Sequence, residues 1–481
     1  MKSEKAASIP LESLMDDEEL REGWDIFFLK DLTINDSAIT YGVLKPGEKT
    51  PDGIPMLRVV DIVNSKVNKK NLYFITPELA NSYSRTKLSG GEILISVQGT
   101  VGKIAIVPHE LTGANISRTL AVIPLKNKEY AKWLFYCLQS PKIQSLIQDS
   151  TGGTTRDSLN IRDLRLIPIL IPPLAEQKHI VARVEALLTH VNAARDRLSR
   201  MPLIMKKFRQ AVLAAACSGR LTEGWREENP DVEPAEDALL HCIQIATTQK
   251  SSRKIRKRGT VGMPEIDLPE DLPNIWTIKK IKELVEIGAV TDYQDGNHGE
   301  LYPRTTDFGD NGIKFLTATQ VFDNEVRLSE APLLKKEKAS QLRIGFAKPR
   351  DVLLTHNATV GRVALMPDNC GEIILGTSVT YYRLNPEFID PKYCCYAMQG
   401  QFWQSQLWAI MEQTTRNQVS ITKQAEFYFP LPPLAEQHEI VRRVGMLFER
   451  ADAIDREVAA AGRRCERLTQ AVLGKAFAGK L

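Results

Sequence analysis

A six-residue motif that occurs twice constrains the fold of this chain more than any other feature of its sequence. Residues 172–177 read PPLAEQ, and residues 432–437 repeat the motif at an offset of about 260 residues. The match continues without a gap to Gly219 and Leu221 in the first copy, and to Gly479 and Leu481 in the second. We therefore predict an internal duplication in which each half of the chain is one structural unit.

The segments upstream of the two motifs match each other more loosely. Residues 100–103 read TVGK and residues 359–362 read TVGR, while residues 154–156 and 414–416 both read TTR. Each half is therefore a divergent globular domain followed by a better-matched segment, which suggests different tasks for the two parts. We predict an N-terminal tail (1–19), a first globular domain or head one (20–170), a first helical region (171–221), a charged linker (222–269), a second globular domain or head two (270–430) and a second helical region (431–481).

Apolar residues follow both motifs at alternating spacings of four and three, over roughly four heptads. A pattern of this length predicts two long helices that form an antiparallel coiled-coil spacer, with the two halves related by a pseudo-two-fold axis. The alternative is that each apolar stripe packs on its own head. Pro202 lies inside the first helix and is predicted to bend it without ending it. The predicted seam residues are Ile180, Val184, Leu187, Val191 and Leu198 in the first helix, and Ile440, Val444, Leu447, Ile454 and Val458 in the second.

Both heads combine strand-like and helix-like patterns. Short runs rich in β-branched residues, such as 92–96 and 351–355, are followed by helical patches at 131–138 and 391–398. We therefore predict an α+β fold, with a twisted and mostly antiparallel sheet in each head.

The sequence carries no motif of catalysis or of cofactor binding. Residues 99–103 (GTVGK) lack both the first glycine and the final Ser or Thr of a phosphate-binding loop, and no dinucleotide fingerprint or zinc-ligand spacing is found. The seven cysteines form no C-x-x-C pair, and no apolar segment resembles a signal peptide or a membrane span. We therefore expect a cytoplasmic chain that is not an enzyme by itself and holds no metal.

The charged linker changes from acidic to basic along its length. It fits either a solvated connection or, in its basic part, contact with phosphates. Because the net charge of the whole chain is only +4, bulk charge does not by itself argue for nucleic-acid binding. The basic residues are Lys250, Arg253, Lys254, Arg256, Lys257 and Arg258.

The paired PPLAEQ motifs, the helices after them and the closing QAVL and G-(R/K)-L elements resemble the conserved regions of DNA-specificity subunits of type I restriction–modification systems. The order of domain, helix, domain and helix is also similar, and the resemblance covers nearly the whole chain. It implies that the heads are target-recognition domains that read the two halves of a bipartite, asymmetric site in double-stranded DNA.

The resemblance also implies partners. The helices would set the gap between the half-sites and dock two methyltransferase subunits, and ATP-dependent restriction and translocation subunits would complete the complex. S-adenosylmethionine, ATP and magnesium would belong to those partners, with no cofactor in this chain. Two rival interpretations stay open: a stand-alone DNA-binding regulator on the same scaffold, and an enzyme whose active site carries no recognised motif.

Candidate DNA contacts are polar and basic residues on predicted turns of the heads. Arg, Asn and Gln can hydrogen-bond purine edges, whereas Thr and Lys more often hold phosphates. The alternative is that residues common to both heads stabilise turns, because shared residues cannot encode different targets. The candidates are Gln98, Thr100, Lys103, Ser117, Arg118, Thr155 and Arg156 in head one, and His356, Asn357, Thr359, Arg362, Thr415, Arg416, Asn417 and Gln418 in head two.

Overall fold

A computed structural model describes residues 21–35, 38–152, 157–248, 264–269, 271–412 and 417–481. These residues form two compact units. Unit 1 contains the described residues up to Ser199 together with Val458–Leu481, and unit 2 contains Arg200–Glu457. Each unit therefore combines one head with a segment of each helical region, whereas the predicted domains treated heads and helices separately.

Head one consists of short strands interspersed with short helices. Its strands are β1 (Asp25–Phe28), β2 (Thr40–Tyr41), β3 (Ile54–Leu57), β4 (Ile62–Val63), β5 (Lys66–Val67), β6 (Tyr73–Ile75), β7 (Ile93–Ser96), β8 (Ile104–Ile106), β9 (Asn115–Ile116), β10 (Leu120–Ile123), β11 (Thr151–Gly152), β12 (Ser158–Leu159) and β13 (Pro168–Ile171). Its helices are α1 (Pro77–Ser82), α2 (Ala131–Cys137), α3 (Pro141–Asp149) and α4 (Ile161–Arg165).

Helices fill the first helical region and the beginning of the linker. They are α5 (Leu174–Leu198), α6 (Met201–Cys217), α7 (Glu223–Glu228) and α8 (Ala235–Thr248). Contrary to our prediction, the first helix ends before Pro202, which lies in the first turn of α6. Proline has no N–H to donate to the preceding turn, but it fits the first turn of a helix. One helix therefore ends before Pro202 and a new helix begins there.

Head two repeats the layout of head one. Its strands are β14 (Thr277–Lys280), β15 (Val290–Asp295), β16 (Phe308–Gly309), β17 (Ile313–Leu316), β18 (Val321–Phe322), β19 (Glu325–Val326), β20 (Leu333–Leu334), β21 (Phe346–Ala347), β22 (Val352–Asn357), β23 (Thr359–Leu365), β24 (Ile373–Leu375), β25 (Val379–Leu384) and β26 (Tyr428–Leu431). Its helices are α9 (Ile281–Ile287), α10 (Lys336–Ala339), α11 (Pro391–Gln399), α12 (Gln401–Met411) and α13 (Ile421–Gln424), and α14 (Leu434–Phe477) follows without interruption.

The two heads share the main features of their sheet topology, although the second sheet has three strands in head one and five in head two. A four-stranded sheet has the order β2-β10-β7-β8 in head one and β15-β25-β22-β23 in head two. A second sheet contains the parallel pair β3–β9 in head one and β17–β24 in head two, and the other strand pairs are antiparallel. The predicted α+β fold, its mostly antiparallel sheets and the internal duplication are therefore confirmed.

Aromatic residues form the centre of each unit's largest core. In unit 1, the buried Trp133 packs edge-to-face against Trp24 and against Phe477 of α14, with ring centroids 5.8 and 4.7 Å apart. In unit 2, the buried Trp403 packs against Phe427, with centroids 5.1 Å apart. Head one thus depends on a side chain that is far away in sequence.

Within unit 1, α5 and the last part of α14 run antiparallel. Arg195 near the end of α5 donates to Glu466 at 3.2 Å, while Ile180 near its start shares a core with Phe477 further along α14. Within unit 2 the same holds for α6 and the first part of α14. The expected antiparallel pairing is thus present inside each unit, and the helices also pack on their own heads.

The buried stripe departs from the predicted seam at two positions. Leu187 is 46% exposed and Ile454 is 42% exposed, whereas Leu188, next to the predicted position, is buried. The reason is that a straight helix has 3.6 residues per turn, so its buried face drifts by about 20° per heptad from a strict seven-residue repeat. Ile180, Val184, Ile440 and Val444 are buried as predicted, and Val191, Leu198, Leu447 and Val458 are half-buried.

The acidic part of the predicted linker is folded into unit 2. Ala235 and Leu239 of α8 are buried in the core of head two. Glu236 accepts hydrogen bonds from Lys279 and Thr277, at 2.8 and 2.7 Å, and these bonds lower the pKa of its carboxyl group. A solvated connection is therefore wrong for this part, and the predicted basic cluster at 250–258 lies outside the described residues.

The repeated PPLAEQ motif anchors each helix to its head. Glu436 is fully buried and accepts hydrogen bonds from Trp276 at 2.7 Å, Thr222 at 2.6 Å and Arg226 at 2.5 Å. In unit 1, the equivalent Glu176 accepts a hydrogen bond from Trp24 at 3.2 Å. A carboxylate in the first turn of a helix is favoured by the helix dipole, and a buried one needs the partners that Glu436 has.

We predict unequal effects for the two motif glutamates. Glu436→Ala should lower the free energy of unfolding by about 3–5 kcal/mol, because it leaves Arg226 without its buried partner. Glu176→Ala is the matched control and should cost about 1 kcal/mol or less, because the side chain of Glu176 is 34% exposed. Chemical denaturation of the two variants measures both values, and equal losses would contradict this view of the motif.

Candidate nucleic-acid interface

Three segments of head one meet at one end of its four-stranded sheet. The backbone N–H of Val97 donates to Thr119 O, and that of Leu159 donates to Val97 O, both at 2.9 Å. Gly99 donates to Asp157 O at 3.2 Å. We call residues 97–103, 117–119 and 157–159 the turn edge of head one. The structure therefore brings the predicted residues of 98–103 and 117–118 together.

Head two has the same arrangement. The N–H of His356 donates to Ser378 O at 3.0 Å, and that of Val419 donates to His356 O at 2.9 Å. Ala358 donates to Asn417 O at 3.1 Å. Residues 356–362, 376–378 and 417–419 form the turn edge of head two, which contains all predicted candidates of that head inside the described ranges.

The predicted residues differ in how accessible they are. Gln98, Thr100 and Arg118 are exposed in head one, and Asn417 and Gln418 are exposed in head two. Asn357 and Thr359 are half-buried. The predicted Thr155, Arg156, Thr415 and Arg416 lie outside the described residues.

Two predicted contacts have little accessible surface. Ser117 is 7% exposed and shares a 2.7 Å hydrogen bond with Thr119. His356 is 2% exposed, its Nε2 lies 3.4 Å from Asp295 Oδ1, and burial lowers the pKa of its imidazole. Both side chains lie beneath the turns rather than on them, because they alternate with outward-pointing neighbours along extended backbone.

The two basic residues after the TVG sequences have a shared structural role. Lys103 Nζ donates to Ile62 O at 3.4 Å, and Arg362 donates to Val321 O at 3.3 Å. Each one thereby fixes the hairpin β4–β5 or β18–β19 beside the turn edge. Arg362 also stacks over the ring of Phe322 at 4.6 Å. Both basic side chains thus stabilise the turn edge, and each has further N–H groups that can contact phosphates.

A glutamine from a helix shapes the same turn in both heads. Gln144 Nε2 donates to Gly102 O at 3.0 Å, and Gln404 Nε2 donates to Gly361 O at 2.8 Å. Both glycines have positive φ, +88° and +96°, and a Cβ there would lie 2.6 and 2.5 Å from the glutamine Oε1. These turns therefore favour glycine for its backbone conformation, and a Cβ would also displace the amide end of the glutamine.

One further turn beside each turn edge was not predicted from the sequence. In head one, the 3₁₀ turn Val59–Asp61 follows β3. The backbone N–H of Val59 donates a hydrogen bond to Thr119 Oγ1 at 3.4 Å. Its tip residue, Val60, is 64% exposed. The available signal was that residues 53, 54 and 57 are identical to residues 312, 313 and 316, which aligns this turn with residues 317–320.

The turn edges suit binding rather than bond-breaking chemistry. They present amide, hydroxyl and guanidinium groups on turns of a rigid sheet, which is the set that contacts base edges and phosphates. Across the described part of the chain, no three His, Cys, Asp or Glu side chains are grouped closely enough to hold a metal ion. None of the helices in the described ranges is both long and apolar enough to span a bilayer.

A family profile matches both halves of the chain. The profile described as "Type I restriction modification DNA specificity domain" covers residues 21–197 and 273–457. Each matched segment contains one head and the first part of the helical region that follows it. The duplication in the sequence thus corresponds to two copies of one family domain.

Curated relatives and a solved structure are similar over most of their length. The type I restriction enzyme EcoBI specificity subunit of Escherichia coli is 27% identical, over 89% of this chain and 80% of the relative. The EcoKI specificity subunit of Escherichia coli strain K12 is also 27% identical, over 96% and 90%. A chain solved in work on complex assembly and conformational transition of the type I R-M system has a TM-score of 0.57 at 20% identity, over 96% of this chain and all of that one, which supports the fold.

We predict that the glycine turns tolerate substitution unequally. Gly102→Ala should lower the free energy of unfolding by about 2 kcal/mol, because it adds left-handed strain and displaces Gln144 from its hydrogen bonds to Gly102 O and Leu138 O. Gly99→Ala is the matched control with φ +77° and no atom within 4 Å of the added Cβ, and the equivalent residue of head two is already Ala358. It should cost about 1 kcal/mol. Thermal denaturation of the two variants measures both losses of stability. Equal losses would show that Gln144 does not restrict the turn.

Proposed function

Because the chain belongs to the type I restriction modification DNA specificity family, we propose that it is the DNA-specificity subunit of a type I restriction–modification complex. Each head reads one half of a bipartite, asymmetric site in double-stranded DNA. The observation that carries this proposal is that the two heads share the main features of their topology and have equivalent turn edges, yet carry different side chains on them. Two domains with the same backbone fold and different exposed side chains suit the recognition of two different DNA sequences.

The energetics favour two readers in one chain. A correct base contact supplies about 1–3 kcal/mol of discrimination, and one head of this size covers only a few base pairs. Two heads on one chain combine their discrimination. The exposed Gln98 and Arg118 of head one, and Asn417 and Gln418 of head two, are the types that contact base edges bidentately.

The helical regions are proposed to set the gap between the half-sites and to dock two methyltransferase subunits. Exposed apolar side chains on α6 support docking, since Leu203 is 61% exposed and Ile204 is 50% exposed. ATP-dependent restriction and translocation subunits complete the proposed complex. S-adenosylmethionine, ATP and magnesium act in the partner subunits, and this chain contributes DNA recognition and positioning.

Exchange of one head tests independent recognition. Replacement of residues 20–170 by the corresponding head of a relative should change one half-site of the methylated sequence and leave the other half-site and the gap unchanged. Methylome sequencing of cells that express the exchanged chain with its methyltransferase subunits provides the measurement. Alteration of both half-sites would contradict independent heads.

The purified chain should be catalytically silent. We expect no methyl transfer from S-adenosylmethionine and no DNA cleavage by this chain alone, with the reconstituted complex as the positive control. Methyl transfer by the chain alone would favour an enzyme with an unrecognised site. Sequence-specific binding without any gain of methylation on adding methyltransferase subunits would favour a stand-alone regulator.

A further inference from the structure

The turn edges of the two heads can be compared residue by residue through their backbone hydrogen bonds. The bond from Gly99 to Asp157 O in head one corresponds to the bond from Ala358 to Asn417 O in head two, at 3.2 and 3.1 Å. The adjacent β-bridges, 98 with 158 and 357 with 418, correspond as well. Asp157 and Asn417 therefore occupy equivalent places, and both are exposed.

The turn that follows β3 in head one and β17 in head two gives a second pair. In head one, Arg58 N–H donates to Asp61 Oδ2 at 2.8 Å. In head two, Thr317 N–H donates to Gln320 Oε1 at 3.0 Å. These bonds close turns of equal length whose exposed tips are residue 60 and residue 319. Val60 and Thr319 are therefore equivalent.

Both turns are fixed to the turn edge at the same point. Val59 N–H donates to Thr119 Oγ1 at 3.4 Å in head one, and Ala318 N–H donates to Ser378 Oγ at 2.8 Å in head two. The tips thus lie next to the segments that carry the proposed DNA contacts. Since the backbone frame is shared, a difference in target sequence has to come from side chains that differ at equivalent places.

We propose that Asp157 and Val60 of head one, and Asn417 and Thr319 of head two, determine base specificity. This inference rests on the proposed function and names two positions at which the two heads diverge in chemistry. Asp157 and Val60 are also unsuited to the alternative role of phosphate contact, because a carboxylate repels phosphate and an isopropyl group cannot hydrogen-bond.

The side chains indicate what each position recognises. The carboxylate of Asp157 only accepts hydrogen bonds, so it favours an exocyclic amino group, as on cytosine N4 or adenine N6. The amide of Asn417 donates and accepts, which matches adenine N6 and N7 together. Val60 offers only methyl groups and suits the 5-methyl group of thymine, whereas Thr319 adds a hydroxyl group that also tolerates other bases.

Substitutions that transfer a residue from one head to the other test this proposal. Asp157→Asn and Val60→Thr are made in the full-length chain, which is assembled with its methyltransferase subunits. The complexes methylate a DNA library in which both half-sites are randomised, and sequencing gives the base preference at each position. Each variant should lower or switch the preference at one base pair of the head-one half-site by about tenfold, and leave the head-two half-site unchanged.

The reciprocal variants Asn417→Asp and Thr319→Val should alter only the head-two half-site. They also decide the case in which a head-one variant fails to fold, as measured by its melting temperature. Asp25→Asn is the matched control, because it removes an exposed carboxylate of the same head in β1, outside the turn edge. It should leave all preferences unchanged.

The contrary outcomes are distinct. Active variants with wild-type preferences at every position would overturn the inference, and so would an equal loss of methylation on all sequences in a folded variant. In both cases the wild-type profile would still support the proposed function. Absence of any sequence preference in the wild-type complex would instead overturn the proposed function and this inference together.

Discussion

The architecture of unit 2 depends on the hydrogen bonds that the buried carboxylate of Glu436 accepts. A fully buried carboxylate is costly unless charge and hydrogen bonds compensate it, and here three partners from different segments do so. Trp276 belongs to the start of head two, whereas Thr222 and Arg226 follow the first helical region. One side chain at the beginning of α14 therefore joins the head, the helix and the linker. Of these bonds, the equivalent Glu176 in unit 1 keeps the one to Trp24, so the contact between the motif and the start of the head is what the two halves share.

In each head, the exposed side chains of the turn edge can change without a change in the backbone that carries them. The support consists of glycine turns held by Gln144 and Gln404, and of backbone bonds between segments that are distant in sequence. None of these bonds depends on the side chains that point outward. The exposed positions can therefore vary while the sheet and its turns stay as they are, which is the property that a family of DNA readers with different targets requires.

The sequence sufficed for the duplication, the α+β class and the helices, because these follow from repeats and periodicity over long stretches. The sequence did not predict local features that depend on a single residue or on a tertiary contact. Whether Pro202 bends or ends a helix depends on the position it takes in the turn, and periodicity cannot distinguish Leu187 from Leu188. The burial of His356 and the exposure of Val60 follow from turns whose geometry is set by distant segments. The sequence therefore predicted where the candidate site lies, but it did not predict which of its side chains are exposed.

The participation of α14 in both units has a consequence for biosynthesis. Unit 2 is continuous in sequence from 200 to 457, but unit 1 needs residues 458–481 as well. Phe477 packs against Trp133 in the centre of head one, so the head that is translated first cannot complete its core until unit 2 has left the ribosome. Head one therefore comes first in the sequence but can complete its core only after residues 458–481 have been synthesised.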